Sequence, residues 1–97
     1  MTISVIVELH AKPGRRADLS DFLETMVTEQ GPSESGFLGS RRYEVVDDPD
    51  MLVEIAEWQS AEAREAHMEL AVATGAYAPL TQMLAAPFRA TVIRALT

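Results

Sequence analysis

Apolar and polar residues alternate from Thr2 to His10. Ile3, Val5, Val7 and Leu9 fall on one side and Thr2, Ser4, Glu8 and His10 mostly on the other, which predicts a first strand with one buried face. Pro13 and Gly14 break the alternation, and the period then changes. Leu19, Phe22, Leu23, Met26 and Val27 recur at helical spacing opposite Asp18, Asp21, Glu24 and Thr28, so an amphipathic helix runs up to Gly31-Pro32. After the loop Ser33-Glu34-Ser35-Gly36, residues 37–46 read as a second strand. Asp47-Asp48-Pro49-Asp50 reads as a type I turn and 51–58 as a returning third strand. Ser60 is a natural helix N-cap and Glu62 suits the positive helix start. Ala63, Ala66, His67, Leu70 and Ala73 form one stripe of this second helix, which Gly75 closes. A shorter helical piece carries Tyr77, Leu80, Met83 and Leu84 until Pro87, and residues 88–96 supply a fourth strand.

The predicted order is βαββααβ, an α+β chain with a four-stranded antiparallel sheet. No repeat, low-complexity tract or linker divides it, so residues 1–97 are read as one domain. Helices packed on one face leave the other face of the sheet to be covered by something else. The third strand is apolar on both sides, with Met51, Val53 and Ile55 on one and Leu52, Ala56 and Trp58 on the other, so both faces need cover. Pairing the helix-free faces of two copies gives a two-fold homodimer. A chain of 97 residues, whose core alone is marginal, gains by it.

Charge narrows the partners. A formal charge of -7, with eight scattered basic residues, opposes both nucleic acid and anionic membrane surfaces. Without cysteine there is no disulfide, thiolate metal ligand or thiol nucleophile. The N-terminus lacks the basic region and apolar run of a signal peptide, and no segment is long enough to span a bilayer, so a cytoplasmic protein is expected. His10 and His67 lack the paired spacing of a helix-borne metal site, the five glycines form no phosphate loop, and no serine sits in a nucleophile elbow. Neither a metal nor another cofactor is expected.

Tyr43-Glu44-Val45, a turn, and then Glu57-Trp58-Gln59-Ser60-Ala61-Glu62-Ala63 leading into Ala66-His67 resembles the antibiotic biosynthesis monooxygenase family. Tyr77 followed by Leu80 and Leu84 is similar to the aromatic and leucine pattern of that family's last helix, and the element order agrees over nearly the whole chain. The resemblance implies a ferredoxin-like βαββααβ fold, a dimeric α/β barrel and a ligand pocket between helices and sheet in each subunit. For some members it implies oxygenation of aromatic polyketide-like compounds without metal or flavin; others degrade haem, isomerise small metabolites or have no known activity. The haem-degrading branch usually carries an asparagine in the first strand, where this chain has Val7-Glu8, and is disfavoured. The family's acidic residue commonly stands two positions before the tryptophan. Here Ala56 is there and Glu57 is adjacent, so Glu57 is expected to face the other way.

His67 is the candidate catalytic base, since an imidazole titrating near neutrality can take a proton from a phenol or an acidic C–H. The plainer alternative is a core histidine bonded to a backbone carbonyl. Trp58 can stack on a flat ligand or simply anchor the core beneath the second helix. Tyr43 and Tyr77 offer hydroxyls. Arg41 shares a strand face with Tyr43 and, aimed inward, would stabilise an enolate or phenolate; Arg42 joins Glu44 on the opposite face, most simply as dimer-interface ion pairing. Leu70 and Met83 are expected to complete the pocket wall, and His10 to lie at the surface. The expected function is cofactor-independent monooxygenation of an electron-rich aromatic molecule, polyketide- or quinol-like. An isomerase of the same fold and a noncatalytic dimer that binds a small molecule are the alternatives.

Overall fold

The computed structural model describes residues 2–96. Its elements are β1 (Ile3–His10), α1 (Arg16–Gln30), a 3₁₀ turn (Gly31–Ser33), β2 (Phe37–Val45), β3 (Asp48–Trp58), α2 (Ala61–Thr74), α3 (Ala78–Met83) and β4 (Arg89–Ile93). The four strands form one antiparallel sheet in the order β2-β3-β1-β4. The expected α+β architecture, a ferredoxin-like sheet with its helices on one face, is the one observed.

Local chemistry sets most boundaries. Ser60 Oγ accepts from the Ala63 N–H at 3.1 Å to start α2, and Gly75, at φ 68°, ends it in the left-handed conformation that a side chain resists. Pro32 stops α1 and falls in the 3₁₀ turn. The β2–β3 connection differs from expectation. The loop is only Val46-Asp47, β3 begins at Asp48, and Pro49 lies inside the strand rather than at the corner of a type I turn. Pro49 is tolerated because the β1–β3 ladder ends at His10↔Met51, so no β1 partner is waiting for the missing N–H. β4 is also shorter than expected, ending at Ile93.

β1 is central, paired with β3 from Ile3↔Trp58 to His10↔Met51 and with β4 on its other side. Its inward residues join two separate apolar clusters. Leu9 and Ala11 pack with Leu19, Leu23, Leu52, Leu80 and Leu84 beneath α1 and α3. Ile3 and Val5 pack with Ala56 and Trp58, and with Phe37 and Ala63 at the start of α2. Val7 touches both clusters yet is only half-buried, because the gap between them is left open as a pocket.

A bulge between Phe37 and Gly39 decides which way β2 faces. Phe37 opposes Trp58, but the next inward residues are Ser40 opposite Ala56, Arg42 opposite Glu54 and Glu44 opposite Leu52. Arg42 and Glu44 therefore lie on the helix side. Arg42 pairs with Glu24 of α1 and, at 3.6 Å, with Glu54; Glu44 meets Arg16 at 3.0 Å. This corrects the expectation that Arg42 and Glu44 form ion pairs on a dimer interface. Arg41 and Tyr43, opposite Ile55 and Val53, occupy the helix-free face, together with Ile6 and with Glu57, which sits opposite Ser4.

Gly36 enters β2 at φ +82°, and a Cβ there would stand 2.6 Å from Ala63 Cβ. Its carbonyl accepts from the Gln59 N–H at 2.8 Å, fixing the strand start against α2. Gly36→Ala should cost about 2–3 kcal/mol in urea unfolding, from the left-handed backbone and the clash together. Adding Ala63→Gly should recover only the part due to the clash. Full recovery would show that the backbone is unstrained there.

Candidate active site

The pocket between sheet and helices has a volume of about 110 Å³. Val5, Val7 and Ala56 form its floor, Leu23 and Met26 of α1 and Met68 of α2 its apolar walls, and Phe88 and Ala90 the rim leading into β4. Into this apolar space come His67, Tyr77, Glu34, Glu54 and Arg64. A second, more open groove lies between the start of α1 and the β2–β3 hairpin, but its Arg16 and Arg42 are engaged by carboxylates and it holds no histidine. The chemistry is concentrated in the first pocket.

Trp58 ends β3 and is 5% exposed. Phe37 packs on it at 5.1 Å between ring centroids and His67 at 5.0 Å. It is therefore both a core anchor and a pocket wall, with little ring surface left for a ligand. His67 projects from the inward stripe of α2. Its Nε2 lies 2.7 Å from Tyr77 Oη. Its Nδ1 lies 3.2 Å from Glu34 Oε2, within ion-pair distance; the direction is wrong for a hydrogen bond, and this buried nitrogen has no partner among the described residues.

Burial dominates the titration of the two shifted groups. It pushes the Glu54 carboxyl above its ordinary range, with Arg42 acting in the opposite sense. Tyr77, at the N-cap of α3, is raised from 10.0 to about 12 by burial first and then by the charges of Glu54 and Glu34, against which Arg64 acts weakly. A raised folded-state pKa means a contribution to stability that is complete below pH ~10 and lost as pH rises toward ~12. Since the chain has two tyrosines, the 295 nm titration of Tyr77→Phe subtracted from that of the parent isolates Tyr77. A midpoint near 12 is expected. A midpoint near 10 would mean that the hydroxyl is well solvated.

Of the residues expected at the site, Trp58, His67 and Tyr77 converge on the pocket. Tyr43 and Arg41 do not, because the β2 bulge turns them to the helix-free face. Leu70 is 58% exposed: α2 presents Ala63, Arg64, His67, Met68 and Ala71 inward, a stripe rotated from the expected one. Met83 packs against the Leu9–Leu19 cluster instead of the pocket. His10 is exposed at the end of β1. Glu34 and Glu54 were not anticipated. Glu54 had a legible signal, a charged residue in the inward register between Leu52 and Ala56; Glu34, in a loop, had none. Among the described residues no three His, Cys, Asp or Glu side chains gather as metal ligands, and no helix is long and apolar enough to cross a membrane.

The fold is thus a small α+β domain with a mostly apolar pocket under its helices, holding a histidine, a tyrosine and two carboxylates. The family model for Antibiotic biosynthesis monooxygenase matches residues 2–78, and the chain belongs to that family. No curated protein matches it in sequence. Among solved structures it is similar to Rv0793 from Mycobacterium tuberculosis, with 25% identity, a TM-score of 0.82 and coverage of 100% of this chain and 97% of that one. It is also similar to NE2512 from Nitrosomonas europaea, a protein of unknown function, with 26% identity, a TM-score of 0.76 and coverage of 99% and 90%. SnoaB from Streptomyces nogalater, a cofactor-independent oxygenase, shares the fold at 12% identity and a TM-score of 0.83, with coverage of 99% and 94%.

Proposed function

We propose that the protein is a cofactor-independent monooxygenase of a small, electron-rich aromatic molecule, with His67 as proton acceptor. The observation that carries this reading is a histidine in an apolar pocket, its Nε2 on a phenol and its Nδ1 beside a carboxylate. Such a site supplies binding, a base and a place for the proton, which is what deprotonation of a phenol or an acidic C–H requires. The resulting carbanion is the reductant of dioxygen. Family membership supports the reaction class.

Oxygen uptake by the purified protein, verified free of metal and flavin, against anthrones and hydroquinones tests the proposal. Saturable uptake is expected. Noncatalytic binding is the second reading, favoured by the Tyr77 contact, which occupies His67 Nε2 within the protein itself. Trp58, the only tryptophan, reports on it: saturable quenching by the same compounds without oxygen uptake would replace the oxygenase with a binder.

We also propose that two copies pair through the helix-free face, where Ile6, Val53 and Ile55 meet along β1 and β3. Proteins of this family are commonly dimeric. Size-exclusion with light scattering should give twice the 10.6 kDa chain mass. A stable monomer at micromolar concentration would remove this part of the proposal.

A further inference from the structure

One carboxylate in the pocket has so far been placed only as the neighbour of His67. Glu34 lies in the loop between the 3₁₀ turn and β2, its side chain 22% exposed, with Oε2 3.2 Å from His67 Nδ1. Among the described residues it has no arginine or lysine partner. Nδ1 is itself buried and unpartnered, so each group is the other's nearest available complement. On the far side of the ring, Nε2 meets Tyr77 Oη at 2.7 Å. Carboxylate, imidazole and phenol thus follow one another along the pocket wall.

An ionised carboxylate only accepts hydrogen bonds, so Glu34 favours the tautomer with the proton on Nδ1. With the proton on Nε2, Nδ1 would have no hydrogen to offer the carboxylate 3.2 Å away. The Nδ1–H tautomer leaves Nε2 as the acceptor and makes Tyr77 the donor, while Nδ1–H keeps the favourable charge contact with Glu34. The Tyr77 oxygen keeps a lone pair for a ligand.

Resting on the reading of His67 as proton acceptor, we propose that Glu34, His67 and Tyr77 form a proton relay. In it Tyr77 Oη touches the substrate, His67 Nε2 stores the proton and Glu34 is the positioning residue. As the substrate C–H or O–H breaks, its proton bonds to Tyr77 Oη and its electron pair stays on the substrate; the Tyr77 proton passes to Nε2 in the same step. The products are a substrate anion, neutral Tyr77 and an imidazolium beside the unchanged Glu34 carboxylate. Tyr77, raised to about 12, is no resting phenolate at neutral pH, which suits a group that passes a proton in concert and does not hold the charge.

Two measurements test this, one of them independent of any substrate. Nitrogen NMR of histidine-labelled protein, with His10→Gln to assign the two imidazoles, should show neutral His67 protonated on Nδ1. Glu34→Leu, which removes the acceptor, should move that proton to Nε2, with Trp58 emission unchanged as the check on folding. An Nε2–H tautomer in the parent, or a tautomer that ignores Glu34→Leu, overturns the role of Glu34. The second measurement is anaerobic exchange of solvent deuterium into anthrone, which reads proton transfer without oxygen. Glu34→Gln should lower the maximal exchange rate about 10²-fold with KM retained, Tyr77→Phe should lower it as much while raising KM through its lost substrate contact, and the double variant's rate should fall no further than the lower single. Independent, multiplying losses overturn the relay, as does the absence of exchange in the parent. Exchange without oxygen uptake keeps the relay and sinks the oxygenase.

Discussion

Replacing His67 by alanine is expected to lower turnover by about 10²- to 10⁴-fold while ligand affinity changes by only a few-fold, the pattern of a lost general base. The ligand's contact area comes mainly from the apolar floor and walls, which the substitution leaves in place. The proton, in contrast, has nowhere comparable to go. Of the two pocket carboxylates, Glu54 is held by Arg42 at 3.6 Å, and Glu34 lies on the far side of the His67 ring from the Tyr77 hydroxyl. Because His67 fills the space between Trp58 and Tyr77, alanine also opens a void and leaves the Tyr77 hydroxyl unpaired, at a cost of about 1–3 kcal/mol. His67→Gln, which keeps most of the volume, separates the two effects: its turnover should be as low as that of His67→Ala, with smaller loss of stability. Turnover close to the parent's in either variant would remove His67 from the chemistry.

The second large effect is one of stability. Leu19→Ala should lose about 3–4 kcal/mol of unfolding free energy, measured by urea denaturation. α1 reaches the core through two buried residues, Leu19 and Leu23, and Leu19 is 0% exposed, enclosed by the cluster that includes Leu9, Leu52, Leu80 and Leu84. Those neighbours come from β1, β3 and the α3 region, so they cannot all close on the cavity together. Leu70→Ala is the matched control: the same atoms leave a side chain that is 58% exposed, and a change within about 0.5 kcal/mol is expected. A loss under 1 kcal/mol at Leu19 would mean that the cluster collapses freely around the gap.

The elements were legible in the sequence wherever one local signal dominated. β1 shows its inward residues by alternation, and α2 is bracketed by Ser60 and Gly75. Faces were harder to read. Counting in twos from Phe37 puts Arg41 and Tyr43 inward, but one bulged residue shifts the phase, so that Ser40, Arg42 and Glu44 follow Phe37 instead. Nothing in Phe37-Leu38-Gly39 specifies that bulge in advance, beyond a glycine that accepts φ 129°. The inward side of α2 was misjudged for a different reason. Its sequence is alanine-rich and only weakly two-faced, so Leu70 outweighed the stripe actually used, through Arg64 and Met68. The pocket's histidine and phenol were readable as residue types, and Glu54 as a charge among apolar neighbours. Glu34 is brought to His67 by the loop's path, which no periodicity encodes.

β4 carries no buried side chain and is held by five backbone pairs to β1, from Ser4↔Ile93 to Glu8↔Arg89. Phe88 and Ala90, from this end of the chain, nevertheless form part of the pocket rim. The pocket walls therefore differ in how they are anchored. The β1 and β3 floor is tied into both clusters, whereas β4 contributes no side chain to either, so its pairing to β1 is the part of the pocket wall that the core does not secure.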